Sequence, residues 1–295
     1  MADGVNLQNL PAPKVIEEID YEAILGELID DFIARSEGYT ALVESDPVYK
    51  ELEVAAYREM LLRQRINNAA KAVMLPYATG TDLDNLAAFY FVERLIVDPG
   101  DQNATPPIDP TYEDDARLLE RVLLSPGQFS TAGAESAYRY HAMTSSASVK
   151  NVGIKSPTPG NIQVTVLSTA GNGVPDATLL SAVNDALSAD FVRPLTDTVN
   201  VQAAEVLEYT IDATLYLYPR QVSNIIEQTA LERVVALVDE LHRIGYDVHN
   251  TAITSALKVA GVQRVELSGW VDIAVADYQA AYCTGINLTI GGTDV

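Results

Sequence analysis

The stretch DPVYKELEVAAYREMLLRQRINNAAKAVMLPYATGTDLDNLAAFYFVERL, residues 46–95, has the clearest helix signals in the chain and decides its N-terminal fold. Pro47 suits the first position of a helix, and Asp46 before it can cap exposed backbone amides. Pro76 ends this helix, because proline lacks the N–H that a helix interior requires. Thr81 is predicted to open a second, shorter helix with a capping box. The stretch therefore predicts two consecutive helices.

The long helix carries two apolar lines that run side by side. The first line consists of Leu52, Ala55, Leu62, Ile66, Ala69 and Val73, and the second of Val54, Tyr57 and Leu61. A helix with two apolar lines needs two neighbours to cover them. The cations of its polar side are interleaved with glutamates, which favours a solvated or subunit-facing side over a nucleic-acid surface. These cations are Arg58, Arg63, Arg65 and Lys71.

Sequence on both sides of residues 46–87 extends this pattern into a family resemblance. The run DPVYKELEVAAYREMLLRQRINNAAKAVMLPYATGTDLDNLA, with LPAPKVIEEIDYEAILGELIDDFIAR before it, resembles the baseplate J family of contractile-tailed phages. The family also occurs in phage-tail-like bacteriocins (tailocins) of the R-type pyocin kind. Downstream, LLSPGQFSTAGAESAYRYHA and SASVKNVGIKSPTPGNIQVTVLS continue the likeness, which is strong over 10–168 and looser beyond.

The resemblance implies a structural protein without enzymatic activity and without a cofactor. Family members form wedges, six of which surround the tail hub, and contacts between their copies close a ring that opens on sheath contraction. The implied partners are a second copy in a different environment, another baseplate wedge protein, neighbouring wedges, and tail sheath or hub proteins. The implied subunit-interface residues are Leu25, Leu28, Phe32, Leu52, Ala55, Leu62, Ile66 and Val73.

Composition limits the possible partners and compartments. The chain of 295 residues is 48% hydrophobic, with a net charge of −22 and a pI near 4.3. Residues 1–145 carry −14 and residues 146–295 carry −8, so neither half has a basic surface to attract duplex DNA. Neither a secretory signal nor an apolar run of membrane-spanning length is evident. We therefore expect no nucleic-acid or membrane partner, synthesis in the bacterial cytoplasm, and assembly into a tail or contractile injection particle.

The whole chain is predicted to have an α+β fold, with an N-terminal helical, bundle-forming unit followed by two small α+β subdomains. The predicted segments are 1–96 for an N-terminal arm and helical unit, 97–110 for a linker, 111–205 for helices plus the first subdomain, and 206–295 for the second. The linker is rich in proline and acidic residues; its aspartates lack the spacing of a calcium loop. It is also our candidate for a hinge.

Several single elements follow from local patterns. Asp20–Arg35 is predicted to form an amphipathic helix, Thr111 to cap a helix, and Thr131 to open another. The segment YTIDATLYLY, residues 209–218, alternates with a period of two and predicts a strand with one buried face. The tyrosine-rich aromatic set, 15 Tyr against five Phe and one Trp, suits either surfaces buried on association or partly buried strand faces.

The residues that carry catalysis in other proteins do not form a recognisable pattern here. His141, His242 and His249 lack a carboxylate or a second histidine at ligand spacing, which favours core or surface roles. The turn at 171–173 has two glycines but no following lysine, unlike a phosphate-binding loop. Two alternatives to a baseplate structural protein stay open at this point, a tail-associated hydrolase and a receptor-binding module.

Overall fold

The computed structural model describes residues 13–36, 38–39, 41–130, 133–219 and 223–293. Among them it contains eight α-helices and eight strands arranged in small sheets, which confirms the predicted α+β class with a helical N-terminal region. The chain divides into two compact units, Met1–Glu93 (unit 1) and Arg94–Val295 (unit 2). The finer division into the segments 1–96, 97–110, 111–205 and 206–295 stays a prediction.

Unit 1 contains three helices, α1 (Tyr21–Arg35), α2 (Pro47–Ala72) and α3 (Gly80–Ala88). Asp20 caps α1, because its carboxylate accepts a hydrogen bond from the Glu22 amide at 2.9 Å. The predicted capping role of Asp46 was wrong. Its carboxylate accepts from the Val43 amide at 3.0 Å instead, so it closes the turn before α2 rather than bonding an amide within it.

The opening of α3 also differs from the prediction. Its N-cap is Thr79, in an extended conformation, and the helix begins at Gly80, one residue before Thr81. The Thr79 side chain makes no capping bond. Gly80 has a φ of 54°, a left-handed value that glycine adopts without a steric penalty.

Unit 2 begins with a short antiparallel pair, β1 (Ile96–Asp98) and β2 (Thr111–Tyr112), followed by α4 (Asp115–Leu124). The prediction that Thr111 caps this helix was wrong, because Thr111 lies in β2. Asp114 is the cap, and its carboxylate accepts from the Arg117 amide at 2.7 Å. A 3₁₀ turn at Ser125–Phe129 and α5 (Glu135–Ser145) follow. The predicted opening residue Thr131 lies outside the described residues.

A buried ion cluster joins the first helices of unit 2. The Glu113 side chain, with no exposed surface, accepts from the guanidinium groups of Arg117, at 3.0 Å, and Arg121. Arg117 also donates to the backbone carbonyls of Met143 and Ser146, both at 2.9 Å, and of Val149. Burial lowers the pKa of Arg117, and the Glu113 carboxylate opposes this shift.

The first α+β subdomain is built on a three-stranded sheet with the order β3-β4-β5. Strands β3 (Val149–Thr158) and β4 (Asn161–Ser168) are antiparallel, whereas β5 (Thr198–Ala203) is parallel to β4 because the chain crosses through α6 (Ala177–Ser188). Asp176 caps α6 as an acceptor from the Leu179 amide at 2.7 Å. The core residues include Tyr138, Met143, Val152, Val164, Val166, Val183 and Leu187.

The second subdomain also has a three-stranded sheet whose central strand has one antiparallel and one parallel neighbour, in the order β7-β6-β8. Its elements are β6 (Glu205–Leu217), α7 (Ser223–Leu241), α8 (Asn250–Leu257), β7 (Val262–Leu267) and β8 (Gln279–Thr293). Strand β6 is central, antiparallel to β7 and parallel to β8. The predicted alternation is confirmed, because Ile211, Ala213, Leu215 and Leu217 are buried under α7 and α8.

The two subdomains of unit 2 meet along β3. Lys150 forms an ion pair with Asp239 at 2.6 Å and lies 3.2 Å from Nδ1 of His242, which is buried. The Asn151 side chain accepts from the Ile244 amide at 3.2 Å. Burial, and then the Lys150 ammonium, lower the pKa of His242. These contacts hold α7 of the second subdomain against the sheet of the first.

Candidate assembly surface

The inner face of unit 1 is a contact between α1 and α2. Ile24 and Leu25 of α1 and Ala56 of α2 are buried together. Partly buried side chains surround them, namely Ile19, Tyr21, Leu28, Ile29, Tyr49, Leu52 and Met60. Because these residues recur every three or four positions, each helix uses one face for this contact. The contact therefore covers only one side of α2.

A polar pair on the same face fixes the segment that leads into α1. Asn67 of α2 donates through its side-chain amide to the Glu17 carbonyl at 2.8 Å and accepts from the Glu17 amide at 3.1 Å. Asn67 is buried, and the backbone N–H and C=O of Glu17 satisfy both polar atoms of its side chain. Asn67 was not among the residues predicted from the sequence. Its position eleven residues after Ala56, which is three helical turns, was the available signal.

A line of exposed apolar side chains follows α2 beside the covered face. It consists of Ala55, Leu62, Ile66, Ala69 and Val73, and we refer to it as the α2 stripe. Leu62, Ile66 and Val73 are 62%, 61% and 70% exposed. From Leu62 onward the spacing alternates between four and three residues, which is the repeat that packs helices together in coiled coils. The stripe is thus exposed and, from Leu62 onward, has the spacing that helix packing uses.

The second apolar line of α2 is also exposed, and it runs through Val54, Tyr57 and Leu61. One cation near it is neutralised within unit 1. Arg63 pairs with Glu59 at 2.6 Å and lies within 4 Å of Glu17 and Glu27. The charge of Arg63 is therefore compensated by carboxylates of its own unit.

The C-terminal end of α3 presents two aromatic rings in an unusual turn. The Val92 amide donates to the Ala87 carbonyl and the Phe91 amide to the Ala88 carbonyl, both at 3.1 Å, which together form a Schellman motif. Phe91 occupies the left-handed position of this motif, with a φ of 59°, where glycine is usual. Phe89 and Phe91 are 79% and 76% exposed. The motif keeps Val92 buried and leaves both rings largely in solvent.

The predicted interface residues therefore fall into two groups. Leu25, Leu28 and Leu52 pack within unit 1, and the Phe32 ring contacts Tyr39 edge to face at 5.3 Å between centroids. Ala55, Leu62, Ile66 and Val73 lie in the exposed α2 stripe. That these residues form a subunit interface stays a prediction; the second group is exposed, whereas Leu25 is buried and Leu28, Phe32 and Leu52 are partly buried.

Groups that bear on catalysis or metal binding lie apart from this surface. Among the described residues, no three His, Cys, Asp or Glu side chains are grouped so as to hold a metal ion. Asp98 and Asp101 accept hydrogen bonds from amides of their own turns, those of Gly100 and Asn103. His249 bonds to Asp272 at 3.2 Å. The described helices also contain no segment that is long and apolar enough to cross a bilayer.

Comparison with known proteins assigns this fold to a family. The Baseplate J-like N-terminal domain matches residues 44–101, and the Baseplate J-like central domain matches residues 130–203. Baseplate protein J of Escherichia phage P2 is 40% identical over 298 aligned positions, covering 98% of this chain and 99% of that protein. The molecule is thus a structural protein of the phage-tail baseplate. It belongs to the baseplate J-like family, which confirms the resemblance.

A solved structure is also similar over part of the chain. It is the cryo-EM structure of the anti-feeding prophage (AFP) baseplate, 6-fold symmetrised, with a TM-score of 0.44 and 13% sequence identity. The match covers 60% of this chain and 44% of that one.

Proposed function

We propose that this protein is a wedge component of the baseplate, held in place when the α2 stripe packs against helices of other subunits. The observation that carries the proposal is the stripe itself, a line of exposed apolar side chains at coiled-coil spacing. The proposed partners of the stripe are a second copy of the chain and another baseplate wedge protein. Its role is to be bound and released, without catalysis.

The size of the stripe indicates how many helices the bundle needs. Complete burial of an exposed Leu, Ile or Val contributes roughly 1.5–3 kcal/mol, so three side chains that are already partly covered contribute roughly 3–6 kcal/mol. Association costs at least about 4 kcal/mol in lost translational and rotational freedom. The stripe's own side chains thus contribute about as much as association costs, before the apolar surface of the partner is counted. Burial of the second line through Val54, Tyr57 and Leu61 would add to this, which favours a bundle of three or more helices.

The same proposal extends to the ring and to triggering. Wedges would be linked around the hub through contacts of unit 2 with neighbouring wedges and with tail sheath or hub proteins, and these contacts would rearrange on sheath contraction. Interfaces of modest size would suit this role, because a trigger needs two arrangements of similar free energy. The segment 97–110 remains the proposed hinge, since two copies in unlike surroundings require one.

The test replaces two residues of the stripe by aspartate, Leu62→Asp and Ile66→Asp. Both side chains are exposed, so the variant should fold like the wild type, with unchanged far-UV circular dichroism. We expect it to lose co-elution with its baseplate partner on size exclusion and to block particle assembly. A matched control is Leu231→Asp with Val235→Asp, a pair of exposed apolar residues with the same spacing on α7. Co-elution of the folded α2 variant with the partner would refute the proposal.

A further inference from the structure

Among the described residues, strand β8 has no partner strand along one long edge of its sheet. It pairs with β6 over Glu205–Leu217, and on its other side these residues give it an isolated bridge at Ala280 and a bond from the Gly245 amide to the Gln279 carbonyl. Within the described part of the chain, no backbone hydrogen bond reaches the outer edge of residues 284–293. An open edge of this kind offers unpaired N–H and C=O groups to another strand.

The composition of this edge contrasts with that of the opposite edge. Residues 282–293, YCTGINLTIGGT, contain neither a charged residue nor a proline, although the chain carries a net charge of −22. The opposite edge, β7, is six residues long and carries Arg264 and Glu266. Charged side chains, proline and short length are among the means by which proteins prevent edge pairing. Residues 282–293 of β8 lack all three, and the register shifts of β8 against β6 lie outside residues 285–290.

In the segment Gly285–Gly291, GINLTIG, the order of glycine, apolar and polar residues is the same in both directions about Leu288. In an antiparallel pair centred there, Ile286 lies opposite Ile290 of the other strand and Asn287 lies opposite Thr289. Opposite residues point to the same face of a sheet. Ile286, Leu288 and Ile290 pack toward the core, whereas Asn287 and Thr289 are exposed on the other face. The apolar and polar faces of two copies would therefore continue into each other.

We propose that β8 is a homotypic interface, in which two copies of this chain pair their β8 strands antiparallel about a two-fold axis at Leu288. A two-fold interface must be self-complementary, and the symmetric pattern of residues 285–291 meets that requirement. The pair produces one continuous six-stranded sheet, β7-β6-β8-β8-β6-β7.

Electrostatics allow this pairing in an acidic protein. On the polar face, the Asp212 carboxylate of β6 accepts a hydrogen bond from the side-chain amide of Asn287 at 2.8 Å. Its counterpart in the second copy would lie three strand spacings away, or about 14 Å. That distance exceeds the Debye length of about 8 Å at physiological ionic strength. The two copies thus approach through an uncharged strip, and like charges stay screened.

This interface is separate from the α2 stripe, so the test is performed on the full chain carrying Leu62→Asp and Ile66→Asp. In this background, dimers formed through the stripe are removed and any remaining dimer reports on β8. Two variants share Asn287→Lys, which places a cation beside Asp212. They differ at one position, Thr289→Lys in the first and Thr289→Glu in the second. In the proposed register, residue 287 faces residue 289 of the other copy.

The background protein should sediment as a dimer. The Lys/Lys variant opposes two pairs of like charges and should bind about tenfold more weakly, whereas the Lys/Glu variant forms two opposite-charge pairs and should dimerise as well as the background. Unchanged thermal unfolding of the monomers checks that both variants fold. A monomeric background protein at all accessible concentrations overturns the proposal, and so do equal dimer affinities for the two variants.

Disulfide trapping gives an independent readout of the register. With Cys283→Ser, the double variant Asn287→Cys and Thr289→Cys should form a covalent dimer under mild oxidation, because directly opposite residues are within disulfide reach. Asn287→Cys alone should not, since residue 287 is diagonal to its own counterpart and about 7–8 Å away. Equal trapping of the two variants, or of neither, overturns the assignment of the axis to Leu288.

Discussion

Replacement of Phe91 by glycine should stabilise the end of α3, although it removes a large apolar side chain. Phe91 has a φ of 59° in the left-handed position of the Schellman motif, and its side chain is 76% exposed. A residue with a Cβ in this conformation costs about 1–2 kcal/mol. The greater freedom of glycine in the unfolded chain offsets about 0.5–1 kcal/mol of that. We therefore expect Phe91→Gly to be more stable than Phe91→Ala by about 0.5–1 kcal/mol.

Phe89 supplies the matched control two residues earlier. Its backbone is right-handed, with φ −64° and ψ −22°, and its side chain is exposed to the same extent, at 79%. No strain is relieved there, so Phe89→Gly should be less stable than Phe89→Ala by about 0.5–1 kcal/mol. The sign of the alanine-to-glycine effect should thus reverse between two neighbouring aromatic positions.

Hydrogen exchange of the Val92 amide measures both effects, because this amide donates the bond to Ala87 that closes the motif. A difference of 1 kcal/mol changes its protection about fivefold, and the two glycine variants should shift it in opposite directions. The same sign at both positions would refute the assignment of strain to Phe91. If the exposed ring contributes to subunit binding, Phe91→Gly should also weaken assembly while it stabilises the free chain.

Two further predictions concern unit 2. Glu113→Gln leaves buried guanidinium groups uncompensated and should lower the unfolding free energy by about 3–5 kcal/mol. The control Asp115→Asn, whose carboxylate is more exposed, should lower it by less than about 1 kcal/mol. Urea unfolding followed by the fluorescence of Trp270 measures both losses, and equal losses would contradict the prediction. The pKa of His242 is lowered in the folded protein, so as the pH falls His242 is protonated at a higher pH in the unfolded state than in the folded state. The free energy of unfolding should therefore decrease as the pH drops below about 6.5. His242→Gln should reduce this acid dependence in thermal unfolding scans, and an unchanged pH profile would show that His242 does not cause it.

Much of the secondary structure could be predicted from local patterns. The helix at α1 and the strand β6 were recognisable because their apolar residues repeat with the period of the element. The errors concern helix starts, at Asp46, Thr81 and Thr111. Several polar residues near a helix start are chemically able to cap it, and only the backbone conformation selects one of them.

The candidate surface was predictable in position but not in extent. Periodicity showed that α2 has more than one apolar line, yet Leu52 and Leu62 look alike in sequence. Only the packing of α1 shows that Leu52 is partly covered while Leu62 remains exposed. The strain at Phe91 could not be predicted at all, because a left-handed backbone carries no sequence signal when the residue is not glycine or asparagine.

The hydrogen bonds of Arg117 have a mechanical consequence. One guanidinium group binds Glu113, which precedes α4, and carbonyl groups at the end of α5 and the start of β3. A pull applied to any one of these segments is passed to the other two through a side chain that cannot lose its charge. This part of the molecule should therefore move as a rigid block under load, leaving deformation to weaker links elsewhere in the chain.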